Sequence, residues 1–226
     1  MNYPLSAIRY PLKQVKLKGK KVLITAGPTW VPIDSVRVIS NIATGETGLL
    51  LADEFRKNGA KVTLLLGSSS ICCVDKRIRV IRFKFFDELK RAIVKEVRSK
   101  KYDILIHSAA VSDYRMRSRL KGKIGSERKR WKLNLVPTLK IIDLIKKIDK
   151  DLCLVGFKFH PNAGRKLLLG QANGLLERSN SELVVANTLG GKGYRAFIID
   201  NKTTYGPICN KKGMARELAR LIKERL

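Results

Sequence analysis

Apolar and polar positions alternate between two periods along this chain, and the change of period marks the elements. KVLIT at 21–25 is a short β-rich run that breaks at Ala-Gly-Pro-Thr, which predicts a buried strand followed by a turn. Leu49, Ala52 and Phe55 recur at helical spacing, so residues 46–57 are expected to form a helix stopped by Asn58-Gly59. KVTLLLG at 61–67 reads as a second buried strand and IRVIRF at 78–83 as a third. Asp87 is expected to cap a helix whose apolar face is Leu89, Ile93 and Val97. DILIH at 103–107 is a fourth strand, WKLNL at 131–135 alternates cleanly, and residues 138–148 place Leu139, Ile142 and Ile145 on one helical face. LCLVGF, ELVVAN and RAFIID predict three more strands, and Asp200-Asn201-Lys202 a hairpin turn into Thr203–Tyr205. A basic amphipathic helix closes the chain from about 211 to 225.

Strands that alternate with helices need both faces of the sheet covered. The expected fold is therefore α/β: a three-layer, Rossmann-like, mostly parallel sheet. The first 18 residues carry two prolines and are expected to be an arm or linker remnant, with one folded domain over 19–226. Residues 115–132 interrupt the rhythm with nine basic residues, one acid (Glu127), Gly122 and Gly125, and are expected to be a mobile loop over the ligand edge.

Composition narrows the class. Of 226 residues, 44% are hydrophobic, enough for a packed core and too many for a disordered chain. The 47 Lys and Arg against 19 Asp and Glu give a net charge of +28, which favours polyanionic partners such as nucleotides, nucleic acid or anionic lipid. No run approaches the roughly 20 apolar residues of a membrane span, and the N-terminus lacks the apolar stretch of a signal peptide, so a cytoplasmic location is expected. Cys72, Cys73, Cys153 and Cys209 form no CxxC pair and have too few nearby histidines for zinc; reduced, structural cysteines are expected.

In an open parallel sheet, ligands bind beyond the carboxyl ends of the strands. Gly27-Pro28-Thr29, Ser108–Asp113 and the stretch from Phe157 fall there. The glycines do not spell GxGxxG, the second strand ends in Gly67-Ser68 where a dinucleotide site wants an acid, and no YxxxK pair is present. NAD is therefore not expected, and no flavin either. Thr44-Gly45-Glu46-Thr47-Gly48 opens a helix and can offer bare amides to an anion.

AGPTWVPIDSVRVISNIATGETG, then SAAVSDYR followed by Lys123-Ile124, then LVPTLKII, VGFKF and LVVAN, resemble in order the signature segments of phosphopantothenate–cysteine ligases, over about residues 19–226. The resemblance implies ligation in two steps in coenzyme A synthesis. The carboxylate of 4′-phosphopantothenate attacks the α-phosphate of a nucleoside triphosphate, CTP or ATP with Mg²⁺, and pyrophosphate leaves. The amine of cysteine then displaces the nucleoside monophosphate. It also implies roles. Lys123 matches the loop lysine that neutralises the α-phosphate, and Asn41 the asparagine that holds the acyl-nucleotide. Arg37 and Gly45 lie at the acid-substrate side. Gly27, His107, Ser108, Ala109, Asp113, Pro137, Lys140 and Phe157 match nucleotide contacts, with Asp113 accepting from ribose or base, Phe157 stacking, and His107 a strand-end histidine rather than an acid or base. Metal ligands are not identified.

The chain departs from the family at Glu46, where a lysine is usual, at Ser126 in a reduced KxKK pattern, at Thr188 after Ala186-Asn187, and at Leu175 and Ser179, where bacterial members place lysines. Members are typically homodimers, and many carry a flavin-dependent phosphopantothenoylcysteine decarboxylase ahead of the ligase; with none here, that decarboxylase is expected as a separate partner. The alternative reading is a nucleic-acid-binding protein on a decayed form of this enzyme fold, motivated by the +28 charge, Glu46 and the basic loop.

Overall fold

The computed structural model describes residues 17–68, 74–99, 101–118, 122–127 and 129–226. Most of the expected arm, Cys72 and Cys73 lie outside these residues. Leu17, just ahead of the expected domain start, is buried in the core.

Eight strands form one sheet: β1 (Lys21–Ala26), β4 (Lys61–Leu66), β5 (Arg79–Arg82), β6 (Ile104–His107), β9 (Cys153–Phe159), β10 (Leu183–Gly190), β11 (Gly193–Ile199) and β12 (Thr204–Ile208). Their spatial order is β12-β11-β10-β9-β6-β1-β4-β5. The six strands from β5 to β10 run parallel; β11 and β12 are antiparallel additions at one edge. Two short ribbons stand apart: β2 (Trp30–Pro32) with β3 (Val38–Ser40), and β7 (Tyr114–Met116) with β8 (Leu135–Pro137).

Period-two alternation divides the strand side chains between two cores. Val22, Ile24 and Ala26 of β1 face α1 (Glu46–Lys57) and α5 (Lys211–Lys223), where Leu51, Phe55, Met214 and Leu218 meet them. Leu23 faces the other way, toward α2 (Phe86–Arg98), α3 (Ile142–Ile148) and α4 (Arg165–Ser179), through Leu89, Ile93, Ile145 and Leu168. Strands buried on both faces read as continuous apolar runs, which is why KVLIT and KVTLLL stand out in the sequence.

Local chemistry sets the boundaries. The α1 helix ends in a Schellman motif: Gly59 has φ +91°, its N–H donates to Arg56 O, and the Ala60 N–H donates to Phe55 O. At the other end, a Cβ on Gly48 would lie 2.3 Å from Ala26 Cβ, so only glycine lets α1 approach β1 this closely.

Several expectations are corrected. Asp87 does not cap α2; it lies in the first turn, and Glu88 accepts from the Lys84 and Phe85 N–H groups at 2.8 and 3.2 Å. The third helix is shorter than 138–148 because Thr138 and Lys140 are held by Ser112 and Asp113 instead. WKLNL is not a strand as a whole; only Leu135 enters β8. The interruption read as a loop from 115 begins inside β7. The α4 helix (Arg165–Ser179) is an element that the apolar periodicity does not predict.

Candidate active site

Chain order climbs outward from β1 through β4 to β5 and then returns to β6, so the sheet switches direction between β1 and β6. Loops diverging from that point leave a crevice at the carboxyl ends. Here the two flanking loops are stitched together. Thr25 Oγ1 lies 2.9 Å from His107 Nδ1 and accepts from the Ala109 N–H at 3.2 Å. Ser108 donates its hydroxyl to Thr25 O at 2.6 Å, and the Ala110 N–H donates to Gly27 O at 3.0 Å. Farther along, the Ser112 N–H donates to Thr29 Oγ1 at 2.9 Å and the Thr138 hydroxyl to Ser112 O at 2.7 Å. Asn41 closes the seam, its Nδ2 donating to Ala110 O at 3.2 Å and Val111 O at 3.1 Å. Two carbonyl acceptors identify that atom as the NH₂ group, so both amide donors are committed and Oδ1 is the atom left for a ligand.

Above this seam opens a cleft of about 670 Å³. Asn41, His107, Ser108, Ala109, Asp113, Lys140 and Phe157, seven of the expected residues, line it together. Its wall carries four cations, Lys140, Lys158, Arg178 and Lys211, against the carboxylates Glu46 and Asp113. Lys140 pairs with Asp113, Lys211 with Glu46, and Arg178 with Asp143 at 3.2 Å, while Lys158 has no partner among the described residues. An excess of positive charge in a partly enclosed cleft favours an anionic ligand. Burial holds the His107 imidazole down at about 4, so it is neutral at pH 7 and unsuited to general acid work there.

Two polar atoms on the wall lack partners among the described residues: Asn187 Oδ1 and Tyr194 Oη, both buried. They share a sheet face through the β10–β11 pairing, where Asn187 opposes Ala196 and Tyr194 opposes Leu189. Buried groups of this kind normally find a partner. Burial also raises the Tyr194 phenol above its ordinary range.

The remaining expected residues, Gly27, Arg37, Gly45, Lys123 and Pro137, do not line the cleft. Gly27 and Gly45, at φ +81° and +82°, are packed against each other: a Cβ on Gly45 would touch Gly27 at 3.4 Å. Pro137 ends β8 beside Thr138, which does line the cleft. Lys123 is exposed. The Arg37 guanidinium donates to Asp34 Oδ2 at 2.8 Å and Ile124 O at 3.1 Å and stacks 4.9 Å from the Trp131 ring centre. Sequence reasoning missed Lys158, Arg178, Asn187, Tyr194 and Lys211. The Glu46–Lys211 pair spans 165 residues, so no local spacing could reveal it. Glu46 at the start of α1 is thus paired by a cation that arrives from α5.

Among the described residues no three metal-ligating side chains cluster, and no helix is long and apolar enough to cross a membrane.

Comparison with known proteins agrees with this architecture. Residues 17–226 match the family described as DNA/pantothenate metabolism flavoprotein C-terminal domain. A coenzyme A biosynthesis bifunctional protein CoaBC from Thermococcus kodakarensis is 41% identical over 174 residues, covering 76% of this chain and 42% of that protein. The CoaBC of Methanocaldococcus jannaschii is 35% identical over 177 residues, 77% of this chain and 42% of the relative. The chain thus spans less than half the length of these curated relatives. A crystal structure of the DNA/pantothenate metabolism flavoprotein from Streptococcus pneumoniae superposes with a TM-score of 0.82 at 26% identity, covering 92% of this chain and all of that one. The fold also matches, at TM-score 0.74 and 20% identity over 91% and 87% of the two chains, a Cab2 mutant solved in complex with phosphopantothenate-cysteine. These relationships do not favour nucleic-acid binding on a decayed fold. With its doubly covered sheet and the cleft at its switch point, the chain belongs to the family of the DNA/pantothenate metabolism flavoprotein C-terminal domain.

Proposed function

We propose that this chain ligates 4′-phosphopantothenate to cysteine with a nucleoside triphosphate as co-substrate. The observation that carries the reading is the cationic cleft at the sheet's switch point, with seven of the residues matched to the ligase signature on its wall. Membership of a family whose relatives are named for coenzyme A biosynthesis supports it, as does the fold shared with a protein solved with phosphopantothenate-cysteine.

In the first step a carboxylate oxygen of the acid bonds to the α-phosphorus and the bond to pyrophosphate breaks. Triphosphate, phosphomonoester and carboxylate repel one another strongly in such a site, so cations are the main catalytic requirement. Lys123 neutralises the α-phosphate as charge gathers there, and Lys140, Lys158, Arg178 and Lys211 are placed by this reading on the remaining anionic groups. Arg37 and Gly45 belong to the acid-substrate side, Arg37 through N–H groups beyond those engaged by Asp34 and Ile124. In the second step the cysteine nitrogen bonds to the acyl carbon, the carbon–oxygen bond breaks with its electron pair leaving on the nucleoside monophosphate, and the amine proton passes to water. Asn41 Oδ1 is suited to accept from that amine. Ser108 and Ala109 contribute backbone groups to the nucleotide, Asp113 meets its ribose or base, Pro137 to Lys140 border it, and Phe157 stacks.

Mg²⁺ binds triphosphates through one or two carboxylates with the phosphates completing its shell. Asp113 and Glu46 are the two carboxylates on the wall, each paired with a lysine, Lys140 and Lys211; Glu46 would hold the ion only by leaving Lys211, since Asp113 is assigned to the nucleoside. When bound, the ion adds further charge neutralisation at the phosphates. Whether CTP or ATP is used is decided by assay: pyrophosphate release should require 4′-phosphopantothenate and one of the two nucleotides. No release with either from folded protein refutes the reading.

The working form is inferred to be a cytoplasmic homodimer. The two ribbons support this, because Val36, Val38, Leu133 and Leu135 are exposed on and beside them. The amide product retains the cysteine carboxylate, so it would pass to a phosphopantothenoylcysteine decarboxylase.

A further inference from the structure

Asp34 is a buried carboxylate, 2% exposed, in the turn between β2 and β3. A buried charge persists only when it is paired and hydrogen-bonded. Its Oδ1 accepts from the Val36 and Arg37 N–H groups at 2.9 and 2.8 Å, which shapes the turn. Its Oδ2 accepts from Arg37 Nη1 at 2.8 Å and from the Ile124 N–H at 3.3 Å. The last of these contacts reaches 90 residues away, into the segment that carries Lys123.

That segment is gripped on both sides of Lys123. Ahead of it, Gly122 O accepts from the Ser35 N–H at 3.2 Å. Behind it, Ile124 gives its N–H to Asp34 and its carbonyl to Arg37 Nη2 at 3.1 Å. Trp131 then covers the Arg37 guanidinium. The turn leads through β3 directly to Asn41, so one carboxylate ties the Lys123 backbone to the strand that ends at the cleft. Backbone N–H donors hold Asp34 below the usual carboxylate range.

We infer that Asp34 is a positioning residue for the ligation: by clamping Ile124 directly and through Arg37, it sets where the Lys123 amine is delivered. This rests on the ligase reading for its kinetic half, while the clamp itself is testable without activity.

Asp34→Asn keeps the volume and removes the charge that holds both donors. Ile124→Pro leaves Asp34 intact and removes the N–H on the loop side, while also fixing φ at 124 and restricting Lys123, so it is read against Ser35→Pro, which removes the other loop contact without touching that segment's own backbone. Each is compared with the parent chain by amide hydrogen exchange across residues 122–127 and by steady-state pyrophosphate release. The expected result for each is at least about tenfold faster exchange in that segment. It comes with an about 10- to 100-fold fall in kcat, the scale of a misplaced catalytic group, and a nucleotide KM within about threefold. Should Asp34→Asn fail to fold, the two proline variants decide. Unchanged exchange overturns the clamp, whatever the activity of the parent protein. Faster exchange with unchanged kcat, or with the loss confined to KM, overturns the positioning role. A parent protein without ligase activity refutes the proposed function and leaves the exchange result standing.

Discussion

Replacing Thr25 by Val keeps the side chain's volume and branching and removes one oxygen. Thr25 is fully buried, and that oxygen serves two neighbours: His107 Nδ1 at 2.9 Å and the Ala109 N–H at 3.2 Å. With the imidazole neutral, the arrangement that satisfies every group has the hydroxyl donating to Nδ1 while it accepts from Ala109. Valine leaves both groups unpaired. An unsatisfied buried donor or acceptor costs about 1–3 kcal/mol, so the loss should total about 2–6 kcal/mol. At this chain length each kcal/mol moves the midpoint by about 2–4 °C, which predicts a fall in Tm of roughly 4–24 °C. Thr25→Ser is the control. It keeps the hydroxyl and gives up one methyl group, worth about 1 kcal/mol, or a few degrees. Thermal denaturation followed by circular dichroism measures both. The valine variant should also raise the nucleotide KM, because Ser108 and Ala109 lose their anchor to β1. A valine variant as stable as the serine variant would refute the claim that this hydroxyl holds the two loops together.

Lys123→Gln should slow pyrophosphate release in a single turnover by about 10²–10³-fold, the scale of losing one group that stabilises transition-state charge, with Tm nearly unchanged because the side chain is exposed. Lys211→Ala leaves Glu46 unpaired on the cleft wall; the nucleotide KM should rise about tenfold, as expected for an uncompensated charge near a polyanion, and Glu46→Ala in the same chain should restore most of it. His107 is held at about 4 by burial against about 6.5 unfolded, so the unfolded chain binds the extra proton between those values. Its contribution is complete above pH 6.5 and is lost as pH falls toward 4, amounting to about 3 kcal/mol. Urea denaturation of parent and His107→Asn should therefore converge as pH drops through that window, and parallel curves would contradict the assignment.

The central strands and three of the five helices were legible because their signals are local and long. KVLIT and KVTLLL lie in strands buried on both faces, and α1 carries its stop at Asn58-Gly59. The α4 helix was not legible. Its buried face includes Ala172 and Ser179 beside Leu168, Leu175 and Leu176, Gly170 and Gly174 interrupt it, and Gly164 caps it without a side chain. The two ribbons have strands of three residues, too short for alternation to register. The shortened α3 shows tertiary hydrogen bonds overriding propensity: Thr138 and Lys140 fit a helical pattern but are claimed by Ser112 and Asp113. At the cleft the motif carried the residues near the ends of β1, β6 and β9. The opposite wall comes from α4, β10, β11 and α5, and its side chains meet only through the fold. Asp34 and Arg37 sit inside the same motif, yet their reach to Ile124 is a property of three dimensions.

In the proposed reaction a carboxylate is activated on a nucleotide before an amine arrives. The direct measurement omits cysteine: folded protein is mixed with 4′-phosphopantothenate, Mg²⁺ and either CTP or ATP, quenched at short times and examined by mass spectrometry. A phosphopantothenoyl-nucleotide should form in step with pyrophosphate and be consumed to the amide when cysteine is added. Pyrophosphate release that ignores the acid, or the absence of any acyl-nucleotide with both triphosphates, would contradict this order of events.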